Sequence, residues 1–326
     1  MKLPFSFSLK FVFRLLLPGF ILSLATFPLL YTLLEQLNLT EISEASFIIS
    51  IVIFGWLFII LDMPIYMAFE GRRYWPKPLW NFFIRCERKR LIKIRRNIRS
   101  INRRKNLEAS VEIRRFPMDE DGNYFVEFPT RIGNLIAAYE KYPERRYGMD
   151  SIFYWYRIWL TLDSEVREEI DNQQALADST IYAVTALNIC SLICIIYALL
   201  KAINSLLLNR QIVNSQLIII KNLPNEYLLL GLAIFAFISS YILYRFSLHI
   251  HATFGEIFKS VFDDYRKNIS IDDLIKEVSS VIQDNTITNL SKKEQYKIAW
   301  RYLHNYRIKQ NGKILRPSEI NPQSDS

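Results

Sequence analysis

The chain of 326 residues has 41 lysines and arginines against 32 aspartates and glutamates, a formal charge of +9, and is 51% hydrophobic. So much apolar content beside an ordinary charged fraction means that the two are segregated along the chain, and the basic excess calls for an anionic partner such as a membrane surface or a nucleic acid. Nine glycines argue against a glycine-rich phosphate loop, and three cysteines (Cys86, Cys190 and Cys194, two of them in an apolar run) imply no disulfide framework.

Four stretches, about 11–34, 46–69, 180–208 and 227–247, are long and apolar enough to be membrane spans, since a hydrocarbon core of roughly 30 Å takes about 20 helical residues. The first is too long for a cleaved signal, lacks a small-residue cleavage site and is followed at once by the second. In lipid every backbone group needs an internal partner, so all four are expected to be helices. Arg14 and Asp62 lie inside the first two spans. Intramembrane charge is costly unless paired, and the expectation is an Arg14–Asp62 ion pair locking the first hairpin. Pro18, Gly19 and Pro28 in the first span and Pro64 in the second predict kinks.

Lysine and arginine set the orientation. The first connector, 35–45, has no basic residue, whereas 70–115 holds sixteen against four acids. The basic loop and both termini are therefore expected in the cytoplasm. Within that loop, 85–105 reads as an amphipathic helix, with Leu91, Ile94, Ile98 and Ile101 on one face and Arg88, Lys89, Arg95, Arg96 and Arg99 among the cations on the other. Such a helix suits anionic lipid. It carries no aromatic for base stacking, which disfavours nucleic acid. Next, 111–128 reads as a β-hairpin turning at Asp121-Gly122. The acids of that turn lack the ligand spacing of a calcium loop.

After the hairpin, Asn134 and Asp150 are placed to cap helices and Gly148 to take a positive φ. Arg131, Gly133, Asn134, Arg146, Tyr147, Gly148 and Asp150 form a polar, glycine-bearing cluster, the loop composition that often makes sites. The helix starting near Ser164 is expected to run unbroken into the third span. Beyond the fourth span, Phe254, Ile257, Phe258, Val261, Phe262 and Tyr265 recur at helical spacing, so that helix should also continue. Ser291-Lys-Lys-Glu294 is a capping box, and the polar segment 310–326 reads as a disordered tail.

The string Pro129-Thr-Arg-x-Gly-Asn134, then Glu144-Arg-Arg-Tyr-Gly-x-Asp150 and Trp155-x-Arg-x-Trp159, resembles the loop of a group of uncharacterised bacterial multi-pass membrane proteins. The likeness covers about thirty residues and the layout of the spans. Tyr156 stands where that group more often has proline. The resemblance implies a bacterial inner-membrane protein and no particular activity.

The expected fold is thus an all-α membrane protein: four transmembrane helices with a cytoplasmic, mostly helical subdomain carrying one small β-hairpin. The expected parts are a first hairpin (1–69), a basic subdomain (70–179), a second hairpin (180–247) and a helical C-terminal region (248–309) before the tail. No P-loop, dinucleotide, zinc-protease or nucleophile-elbow motif occurs; Cys190 and Cys194 lack companion ligands, and His249 and His251 point about 200° apart on a helix. No cofactor or metal is expected. The expected role is a non-enzymatic scaffold or effector that binds a cytosolic protein or its own copies. The alternative is an oligomeric ion channel lined by the first hairpin.

Overall fold

The structure, a computed structural model, describes residues 12–209, 223–282 and 285–304. The expected tail at 310–326 lies outside them. The helices are α1 (Leu17–Gln36), α2 (Ser43–Ile60), α3 (Asp62–Glu70), α4 (Lys77–Ile98), α5 (Arg103–Ile113) and α6 (Arg131–Tyr147). Then follow α7 (Ser151–Thr161), α8 (Ser164–Asn209), α9 (Glu226–Tyr265), α10 (Asp272–Ile282) and α11 (Lys292–Leu303). Contacts divide the chain into two compact units, one of Met1–Phe69 with Asp171–His251 and one of Glu70–Ile170 with Ala252–Ser326.

Four helical stretches are long and apolar enough to cross a membrane: Val12–Gln36, Thr40–Ile60, Ser164–Ser205 and Glu226–Asn268. Their apolar side chains face outward in number; on α2, Ile49, Val52, Ile53, Trp56 and Ile60 are all exposed. Apolar surface of that extent needs lipid or a partner against it. As expected, α8 begins at Ser164 without a break before its apolar part, and α9 continues to Tyr265.

Close packing of α1 on α2 depends on two glycines. A Cβ at Gly19 would stand 2.1 Å from the Ile51 carbonyl oxygen, and one at Gly55 would stand 2.4 Å from that of Leu15. Small residues let membrane helices approach until their backbones touch, and dispersion then replaces the hydrophobic drive that lipid removes. Ser50 adds a hydrogen bond to Ser23 Oγ at 2.9 Å across the pair. The second span does not run unbroken through 46–69: Pro64 has no N–H for the carbonyl of Ile60, and the helix is interrupted at Leu61.

In the second unit, α4 and α5 pack through Leu91, Ile94, Ala109, Ile113 and Phe116. This corrects two expectations. The basic helix ends at Ile98 and a new one starts at Arg103, capped by the Asn102 side chain; Ile101, between them, is fully exposed. The residues Leu91 and Ile94 are buried by α5, so that face is not available to lipid. The β-hairpin is also absent: the described residues contain no strand, only one antiparallel bridge between Met118 and Tyr124 around the turn. Val111–Ile113 belong to α5, because Ala109, Ile113 and Phe116 recur at spacings of four and three and bury against α4. That burial outweighs the β preference of the Val-x-Ile pattern.

Elsewhere in this unit Phe254, Phe258, Val261 and Phe262 of the stripe on α9 are buried, with Ile257 and Tyr265 half-buried. Phe258 stacks on Trp155 of α7 with centroids 4.6 Å apart, and Phe254 meets Tyr139 of α6 edge-on. A smaller core joins α10 and α11 through Ile271, Ile275, Val278, Ile287, Ile298 and Ala299. The Ser291 capping box opens α11 as expected.

Candidate functional site

Charge inside the spanning unit is arranged differently from the expected Arg14–Asp62 pair. Arg14 sits in a π-helical turn, Val12–Leu16, ahead of α1, and its Nη2 lies 2.6 Å from Asp178 Oδ2 on α8. Asp62, at the start of α3, instead accepts the Tyr182 hydroxyl at 2.5 Å. Position explains the exchange: one turn apart on α8, Asp178 and Tyr182 present a carboxylate to the cation and a hydroxyl to the other carboxylate.

The cluster goes further. Tyr66 donates to Asp178 Oδ1 at 2.6 Å, and its oxygen lies 3.3 Å from His251 Nε2. His251, 1% exposed, places Nδ1 at 2.8 Å from the Ser247 carbonyl oxygen, to which only an N–H can donate. A line of polar groups thus runs from Arg14 through Asp178 and Tyr66 to His251, drawn from the turn before α1, α8, α3 and α9. Sequence reasoning missed Asp178, Tyr66 and His251 as members. The available signal was Asp178 itself, two residues before the expected start of the third span.

In the second unit, the seven residues of the polar cluster divide by task. Thr130, not Asn134, caps α6, accepting from Gly133 N at 2.9 Å and donating to the Glu70 carbonyl at 3.1 Å. A Cβ on Gly133 would lie 2.2 Å from that carbonyl oxygen. Asn134 is 1% exposed and makes four bonds to the preceding turn: it accepts from the N–H groups of Glu127 and Phe128 and donates to the carbonyls of Phe128 and Thr130. An Asn134→Ala variant strands the Glu127 and Phe128 N–H groups and the Phe128 carbonyl, the Thr130 carbonyl keeping the N–H of residue 134, and its unfolding free energy by denaturant titration is expected to fall by roughly 2–4 kcal/mol. A loss under about 0.5 kcal/mol, within the range of ordinary surface changes, would mean that water replaces the amide.

Arg131 lies 3.9 Å from the buried Glu87, which also takes Arg90 at 3.0 Å. Gly148 ends α6 at φ +74° and, as expected, is followed by Asp150 capping α7 through Phe153 N at 2.8 Å. Arg146 and Tyr147 line a cavity of about 490 Å³. The Tyr147 hydroxyl donates to Asp263 at 2.5 Å, and Tyr142 donates to the same carboxylate at 2.9 Å. Asp263 and Tyr142 line a different cavity of about 250 Å³ with Arg114, Lys141, Arg145 and Lys259. The basic set Arg88, Lys89, Arg95, Arg96 and Arg99 is exposed on and just after α4, with Arg95 donating to the Tyr124 carbonyl.

A partly buried triad joins Arg72 to two glutamates in this unit. Arg72 pairs with Glu70 and, at 2.5 Å, with Glu140, and its guanidinium stands over the Phe128 ring. Burial pushes the Glu70 carboxyl up to about 7 against the pull of Arg72, and burial also raises Glu140. The folded state therefore holds the Glu70 proton up to about pH 7 and the unfolded chain only to about 4.5. The stability this contributes is complete below about pH 4.5 and is lost as pH rises through about 7. Glu70→Gln is expected to flatten the decline of melting temperature across that window; an unchanged slope would assign the decline to other buried carboxyls such as Glu140 and Glu87.

Among the described residues no group of three His, Cys, Asp or Glu side chains is placed to hold a metal ion. Comparison of the chain with family models, with characterised proteins and with solved structures finds no match.

Proposed function

We propose that the chain is a non-enzymatic membrane effector or scaffold, in which four spanning helices anchor a basic, mostly helical unit that binds a cytosolic protein or a second copy of the chain. The observation that carries this reading is the division of charge. In the spanning unit, Arg14 is matched by Asp178 and Asp62 by the Tyr182 hydroxyl. In the second unit, exposed cations and two basic-lined cavities remain open to ligands. The sixteen lysines and arginines of 70–115 support placement of this unit on the cytoplasmic side of a bacterial inner membrane, with both termini inside. On α4, exposed Leu79, Phe82 and Phe83 sit among the cations, a composition suited to anionic lipid, each near-surface charge contributing about 1 kcal/mol.

The test combines topology with conduction. A chain lacking its own cysteines is labelled at Glu41→Cys and Lys105→Cys in right-side-out vesicles, with expected labelling of the first only. The purified protein is expected to be silent in planar bilayers. Conduction that Asp178→Asn abolishes would sink the effector reading in favour of an oligomeric ion channel. The one observation favouring that second reading is the polar line Asp178–Tyr66–His251, three ionisable side chains in sequence.

A further inference from the structure

The cavity of about 490 Å³ in the second unit gathers five cations, Arg146, Arg266, Lys267, Lys292 and Lys293, against one carboxylate, Asp272. They come from the last turn of α6, the turn after α9, and the first turn of α11. The fold assembles the group; no run of basic sequence does. Asp272 is already taken by Lys292, and the Arg266 guanidinium stands 4.4 Å over the Tyr147 ring. Arg146 and Lys267 stand in no ion pair among the described residues, and the field of Lys293 reaches Glu120, whose close partner is Lys297.

Holding these cations around one hollow costs repulsion that a multiply charged anion would relieve. The volume lies in the range of small-molecule sites. Arginine offers a planar fork and lysine a point charge, the two ways proteins hold phosphoryl oxygens. The rest of the wall is Ile269, Ser270, Ile271, Tyr147 and Tyr296, a mostly apolar side for the remainder of a ligand. The floor is also fixed in place. Gly148 packs so closely on the N-terminal turn of α11 that a Cβ there would lie 2.0 Å from the Lys293 carbonyl oxygen, which holds Arg146 and Lys293 in register.

We propose that this cavity binds the clustered phosphoryl groups of a small phosphate ester, carried either by a soluble pyrophosphate compound or by a phosphorylated lipid headgroup. The inference goes beyond the effector reading and holds whether or not a protein partner exists.

The test uses the full chain in nanodiscs. In one arm, neutral-lipid discs are titrated calorimetrically with pyrophosphate and with ADP. In the other, discs contain phosphatidylinositol bisphosphate, and retained lipid is read by native mass spectrometry. Saturable binding is expected in at least one arm, which identifies the source. Arg146→Gln and Lys293→Gln should each weaken it at least about tenfold, while Lys276→Gln, an exposed cation on α10 outside the cavity, leaves it unchanged. Arg146→Gln should not melt below the parent protein without ligand, because it sheds like-charge repulsion. No saturable binding in either arm, or equal weakening by Lys276→Gln, overturns the proposal.

Discussion

Asp178→Ala is expected to destabilise the protein by about 3–5 kcal/mol, the cost of removing one partner from a buried ion pair. Asp178 is nearly fully buried and lies 2.6 Å from the Arg14 guanidinium. Its loss removes the closest counter-charge of Arg14 and the Tyr66 hydroxyl's acceptor at 2.6 Å, leaving His251 Nε2 at 3.3 Å. The Arg14 side chain is 35% exposed, so it has some freedom to reach water, which sets the loss towards the lower end. The double variant Arg14→Leu/Asp178→Leu should recover much of the stability, because replacing both charges removes the desolvation cost together with the attraction. Melting of detergent-solubilised protein, run as a double-mutant cycle, measures the coupling. A loss below about 1 kcal/mol for Asp178→Ala would place the pair with exposed ion pairs and strip it of structural weight.

Gly55→Val should be as damaging by a different route. Its Cβ would start 2.4 Å from the Leu15 carbonyl oxygen and 2.8 Å from the Leu15 side chain, and backbone cannot rotate away as a flexible side chain can. The hairpin of α1 and α2 must part, losing the Ser50–Ser23 bond and the contacts of Phe47 with Phe20 and Phe27. Overpacking of this kind costs about 1–3 kcal/mol and occasionally more, and the backbone clash puts the expected loss at or above the top of that range. Gly231→Ala is the control: a Cβ there meets nothing within 4 Å. Because alanine is the better helix former by about 1 kcal/mol, that variant should be neutral or stabilising. Equal melting temperatures for Gly55→Val and the parent would mean that α1 and α2 are not held together at these glycines.

The parts legible in the sequence were those fixed by local or averaged signals. Hydropathy summed over a span survives any detail of packing, so four apolar helices were readable. Caps are also local, which is why Asp150, Gly148 and the Ser291 box were found. The partner of Arg14 was not readable, since nothing local distinguishes Asp62 from Asp178 as its counter-charge. The hairpin failed because Val111 and Ile113 fit two periodicities, and only the α4 face decides between them. Asn134 looked like a cap, yet its place inside the turn became visible only once Thr130 was seen to do that work. The cationic cavity joins positions 146, 266–267 and 292–293, too far apart for any motif.

The distance in sequence between Arg14 and Asp178 has a consequence for biosynthesis. A ribosome adds about 5–20 residues per second, so Arg14 waits roughly ten to thirty seconds before Asp178 is made. Until then Asp62 is the nearby carboxylate made with it, and the Arg14–Asp178 pair waits on α8. Each unit shares this delay, because each is built from two stretches of chain separated by the other. A chain halted before residue 171 would hold half of each unit and the whole of neither.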